Sequence, residues 1–100
     1  MPGISRKGDA LTTGHGCDAV TTLATPTQAT VYANGKAIAR KTDPTVSHQI
    51  GVPPLCSGHV AAVTGGSSTV YVVGLKCARD TDGADAGALT EGSETVFAGG

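Results

Sequence analysis

One hundred residues make a single domain, 1–100, and a net charge of −1 with seven scattered basic side chains offers no footprint for nucleic acid. Only 15% of the residues are charged, 15 are glycine, and Tyr32, Tyr71 and Phe97 are the sole aromatics. A chain this short, with so few large side chains, needs a disulfide, a metal or a partner subunit to hold a unique fold.

No apolar run is long enough to cross a bilayer. The N-terminal stretch MPGISRKGDALTTG has no apolar core of signal-peptide length, so synthesis in the cytoplasm without a signal peptide is expected. The cysteines are Cys17, Cys56 and Cys77. An odd number with no secretion signal argues against a disulfide framework and favours metal binding or burial.

In chain order, the first recognisable element is Arg6-Lys7-Gly8-Asp9, followed by a Gly- and Thr-rich loop over about 10–27 that carries His15 and Cys17. Residues 30–44, TVYANGKAIARKTDP, then read as strand, turn, strand. Thr-Val-Tyr suits a pleated surface, and Asn34-Gly35 is a tight-turn dipeptide because both residues accept positive φ. A second loop over about 44–66 carries His48, Cys56 and His59. Residues 69–83, TVYVVGLKCARDTDG, repeat the first hairpin without gaps and with eight of fifteen positions identical. A third loop over about 83–93 leads to Gly92-Ser93-Glu94-Thr95-Val96-Phe97, which copies the opening half of the repeat. Spliced to Arg6–Asp9, this tail completes a third unit. No segment has a helical period.

The Ala39-Arg40 and Ala78-Arg79 pairs, each followed by Thr-Asp, stand with Gly8-Asp9, Thr13-Gly14-His15-Gly16-Cys17, Asn34-Gly35-Lys36, Gly66-Ser67, Gly92-Ser93 and Thr95-Val96-Phe97-Ala98-Gly99. In order and spacing this set resembles the PAAR-repeat family across essentially the whole chain. The proline of the family's name motif is missing from Lys36–Arg40 and from Leu75–Arg79. The resemblance implies an all-β fold, a short cone of three β-hairpin units with pseudo-threefold symmetry, metal-stapled near its apex. It also implies a structural role at the tip of a phage tail or a type VI secretion spike, where the cone caps a trimeric β-helical spike protein, one tip per trimer. Transient contact with the target membrane while the envelope is pierced, and a monomer when alone, belong to the same expectation.

All three histidines fall in loops, and Cys56-Ser57-Gly58-His59 has a spacing that can aim both side chains at one ion. The expected metal ligands are His15, His48, Cys56 and His59, with Cys17 as the alternative to Cys56. The family implies zinc, one ion per chain, with iron as the other candidate. Relatives often carry a cysteine in the third loop, where this chain has Asp82-Gly83-Ala84-Asp85-Ala86-Gly87 and none. Cys77, aligned with Ile38, reads as a small buried hydrophobe.

Four protein ligands would close the metal, so the chain is expected not to be an enzyme. A zinc hydrolase is the minor alternative, with Asp85 or Glu91 as general base. A small zinc module that binds other proteins is a second alternative, differing only in partner. Arg6, Arg40 and Arg79 are expected either to pair with Asp9, Asp43 and Asp82 on the surface, where such pairs stabilise little, or to face the spike. The strands Thr30–Tyr32, Thr69–Tyr71 and Thr95–Phe97 are expected to share their aromatics and Val31, Val70 and Val96 between the core and the spike, and an Asp at Val72 is expected to weaken docking if that side chain faces the spike.

Overall fold

A computed structural model of the chain describes residues 1–99. The two copies of the repeat form hairpins where the turn chemistry demands them. Strands β3 (Tyr32–Ala33) and β4 (Lys36–Ala37) flank Asn34-Gly35, with φ of 55° and 77°. That left-handed pair twists in the sense the two strands require. Strands β7 (Tyr71–Val72) and β8 (Leu75–Lys76) flank Val73-Gly74 in the same conformation, with φ of 47° and 83°. A β-branched residue at positive φ is strained, and Val73 tolerates it because its carbonyl accepts a bond from the Arg40 guanidinium at 2.9 Å.

The chain ends supply the third hairpin. Phe97 bridges Gly3, and the Ile4 N–H donates to the Val96 carbonyl at 2.9 Å. The matching bonds in the other units run from Ile38 to Val31 at 3.1 Å and from Cys77 to Val70 at 3.0 Å. One residue further along, the three units close on each other. The Ser5 N–H donates to Ala78, Ala78 to Ala39, and Ala39 to Ser5, each at 3.0 Å. This closed ring of three backbone bonds marks the pseudo-threefold axis.

Small residues stand at the ring because larger side chains would not fit around the axis. Ser5, Ala39 and Ala78 are fully buried. Below the ring lies one apolar cluster, Ile4, Ala33, Ile38, Val72, Cys77 and Ala98, with Val70 and Val96 packed against it. A second cluster joins the ring alanines Ala39 and Ala78 to Leu11, Leu23, Val63, Ala84 and Leu89 above them. Val72 therefore points inward, on the core side of these strands. The period-2 alternation of a strand puts Tyr71 outward instead.

Between the two clusters sits a layer of ion pairs. Asp9, Asp43 and Asp82 each accept the backbone N–H of the arginine three residues earlier, at 2.8, 2.8 and 2.9 Å. Arg6 and Arg79 also make forked bonds to their aspartates. Each arginine then reaches the turn of the next hairpin: Arg6 to the Asn34 side chain, Arg40 to the Val73 carbonyl, Arg79 to the Gly99 carbonyl. Arg6 and Arg40 are buried and Arg79 nearly so. The expectation of surface pairs is corrected, and so is that of spike-facing arginines: these groups staple unit to unit inside the molecule. The symmetry breaks at Arg40, whose Nε lies 3.7 Å from Asp43 Oδ2 and has no hydrogen-bond partner among the described residues; Thr27 donates to Asp43 Oδ1 and accepts from Arg40 Nη2, in place of the direct bond from Nη2 to Oδ1 seen in the other two pairs.

The three segments read as loops are hairpins as well. Strand β1 (Ala10–Thr12) pairs with β2 (Val20–Thr22), β5 (His48–Val52) with β6 (Leu55–His59), and β9 (Gly83–Ala84) with β10 (Gly87–Ala88). Their Gly and Pro content hid them, and strands such as Gly83–Ala84 and Gly87–Ala88 hold no β-former at all. Bridges Leu11–Leu89, Leu23–Thr45 and Val63–Ala84 join them around the axis. The whole is an all-β body measuring 40 × 24 × 21 Å, three hairpin units below and three hairpins above.

Candidate metal centre

Each upper hairpin delivers a metal-competent side chain. His15 comes from the connection between β1 and β2, where its N–H donates to the Thr13 hydroxyl at 3.2 Å. His48 opens β5 and His59 closes β6, and the two stand directly opposite in the antiparallel register. Asp85 occupies the turn between β9 and β10 at φ 54°, a conformation Asp tolerates better than most residues.

The Asp85 carboxylate lies among the three imidazoles. Its Oδ2 is 2.9 Å from His15 Nε2 and 2.8 Å from His48 Nε2, and its Oδ1 is 3.4 Å from His59 Nε2. The rings lie 5.0 to 5.8 Å apart by centroid. One ligand atom from each of the four residues lies within 4.8 Å of the others, so the group can hold a metal ion. Three imidazoles and one carboxylate are a borderline-hard donor set that suits zinc and other first-row divalent ions.

The site is ordered from outside the ligands too. His48 Nδ1–H donates to the Val46 carbonyl at 2.9 Å, which turns Nε2 toward the centre. With Nε2 also bonded to Asp85, the metal-free ring is arranged as a double donor, the imidazolium form. Burial by itself lowers the His48 pKa, but the bonds to Val46 and Asp85 outweigh it, and the net value is raised. Burial likewise pushes the Asp85 carboxyl up, while the hydrogen bonds from His48, His15 and His59 hold it below its usual range. A proton and a metal thus compete for the same atoms. His15, His48 and Asp85 are largely shielded from water, and His59, about a quarter exposed, is the face open to solvent.

The sequence-derived set is therefore brought together in part. His15, His48 and His59 converge, but Cys56 is not with them. It forms a disulfide with Cys17, Sγ–Sγ 1.91 Å and Cα–Cα 6.0 Å, closing a separation of 39 residues. Both cysteine candidates are corrected at once, and so is the argument against a disulfide. The odd count misled because Cys77 is fully buried in the lower cluster, with burial pushing its thiol up to about 11. Asp85, weighed only as a general base, is the fourth member. The signal was its place in the third loop, where the other two loops carry histidines. No protein-family model matches the chain, and no curated protein matches it.

Proposed function

We propose that the chain is a structural tip protein of the PAAR-repeat type, capping a trimeric β-helical spike in a phage tail or a type VI secretion system. One observation carries this reading. At the lower end, three symmetry-equivalent positions hold the chain's only aromatics, and all are exposed: Tyr32 at 55%, Tyr71 at 56% and Phe97 at 46%. A single chain with three like faces suits a partner of three identical chains, since symmetry decides which surfaces can meet. The end of a β-helix in turn leaves strand edges and apolar core that need a cover.

At the upper end, His15, His48, His59 and Asp85 would hold zinc, with iron as the other candidate. The ion, when bound, supplies a cross-link between hairpins from three parts of the chain. A structural role is favoured over a hydrolytic one because Asp85, the carboxylate a general base would require, is itself drawn among the histidines. Contact with a target membrane during piercing belongs to this reading.

Co-expression with a trimeric β-helical spike, followed by native mass spectrometry, tests it. One tip per trimer is expected, and Tyr32→Asp combined with Tyr71→Asp should abolish the complex. Three tips per trimer, or no association with such a spike, rejects the capping role.

A further inference from the structure

We infer that the Cys17–Cys56 disulfide is a redox lock on the metal centre: the oxidised chain holds the ion tightly and the reduced chain holds it weakly. The inference rests on the metal reading above and not on spike capping.

The covalent topology motivates it. His15 lies two residues before Cys17, and His59 lies three residues after Cys56. The disulfide therefore ties the loop that presents His15 to the hairpin that presents His48 and His59. The same two segments are otherwise joined near the bridge by one backbone bond and one bond to a side chain. Cys17 N–H donates to the Gly51 carbonyl at 3.0 Å, and the Gln49 N–H donates to the exposed Asp18 carboxylate at 2.8 Å. Neither cysteine belongs to an apolar cluster. Cys17 is itself buried, but opening the bridge should spare both apolar clusters and loosen the loop that presents His15. A metal that needs His15 and His59 together then has to order that loop when it binds, which lowers its affinity.

The alternative use of these sulfurs makes the claim sharp. Cys56 stands on the strand that ends in His59, so a freed Cys56 thiolate is a potential ligand in its own right. If it entered the site, reduction would strengthen binding. In the oxidised chain Asp85 completes the set without any sulfur, and the ligands themselves are then indifferent to oxidation.

The redox step is balanced by the reductant. A dithiol gives two electrons and two protons to the Sγ–Sγ bond, leaving two thiols on the chain and closing its own disulfide. Coupling between two sites is reciprocal, so bound zinc must stabilise the disulfide by the factor with which the disulfide tightens zinc.

The experiment uses the full chain and zinc. Affinity is measured by chelator competition for the oxidised protein, for the phosphine-reduced protein, and for the Cys17→Ser/Cys56→Ser variant. Cobalt(II) spectra report any thiolate ligand. Coupling of this kind is expected to weaken zinc by about tenfold or more in both forms that lack the bridge. At fixed free zinc, the disulfide potential against a dithiol buffer should then fall by about 30 mV per tenfold. Buried Cys77 is the internal control and should not react with an alkylating reagent in the native protein. Equal affinity in all forms overturns the lock while leaving the metal centre standing. Tighter binding by the reduced chain, with a thiolate-to-cobalt band, overturns it in favour of sulfur ligation. Failure of every form to bind zinc or cobalt removes the metal reading and the lock with it.

Discussion

Asp85 Oδ2 lies 2.8 Å from His48 Nε2, across 37 residues of sequence and between two different hairpins. The contact is a hydrogen-bonded pair in the metal-free chain and would become a pair of adjacent ligands if a metal were bound. Asp85→Asn keeps the shape and tolerates the positive φ, but removes the charge that balances the ion. Zinc affinity should fall by at least about tenfold to a hundredfold, the loss typical when only an outer partner of a ligand is changed. Cys56→Ser opens the bridge and so should also weaken zinc by about tenfold, but it keeps all four proposed ligands and should still bind one ion per chain at saturating zinc. Elemental analysis of both variants decides between carboxylate and thiolate; loss of all metal from Cys56→Ser with full retention by Asp85→Asn would reverse the assignment.

The pH dependence of the metal-free chain follows from the two shifts at this contact. A carboxyl held below its usual range stabilises the fold above its ordinary pKa, and that contribution is lost as the pH falls through the lowered value. A histidine held above its usual range stabilises the fold below the ordinary imidazole pKa, and that contribution is lost as the pH rises through the raised value. With chelator present, Tm should peak in mildly acidic solution and decline on both sides. With zinc present, the stabilisation added by the ion should grow as the pH rises, since the metal displaces the proton. A metal-free Tm that climbs through the histidine range would contradict this.

The buried Arg6–Asp9 pair should be costly to break. The fully buried Asp9 carboxylate accepts from the Arg6 N–H, Nε and Nη2 at 2.8, 2.9 and 3.1 Å. Asp9→Ala leaves a buried guanidinium uncompensated, a change that typically costs about 3–5 kcal/mol. The exposed Lys41→Ala should stay within about 0.5 kcal/mol. Urea denaturation gives both numbers, and a near-neutral Asp9→Ala would mean the pair contributes as little as a surface one.

Val73 is a site where the chain can be improved. It sits at φ 47° and is 58% exposed, so its side chain gains little from packing and pays for its conformation. Val73→Asn restores the Asn-Gly turn found at Asn34-Gly35 and should stabilise the protein by about 1 kcal/mol. A fall in Tm would show that the valine side chain holds something the turn geometry does not reveal.

Much of this architecture is legible in the amino acids because it is local or repeated. The eight identities between 30–44 and 69–83 announce equivalent hairpins, and Asn34-Gly35 names its own turn. Inward and outward faces follow once strand alternation is applied, with Val72 turned in and Tyr71 turned out. The upper hairpins were not legible. Strands such as Gly83–Ala84 and Gly87–Ala88 have no side-chain signal of their own, and form because Leu11, Val63 and Leu89 close around the axis.

By itself, then, the sequence determined the threefold repeat, the all-β class and the three histidines of the candidate centre, each written in residue types at short spacing. Only the tertiary structure decided the partners of those residues. Asp85 joins the histidines and Cys56 leaves them for Cys17 because contacts between separate hairpins depend on which turns the threefold packing brings together. Spacing along the chain carries no record of that choice: Cys56 is three residues from His59 and faces a different partner, while Asp85 is 26 residues away and lies 3.4 Å from its ring nitrogen.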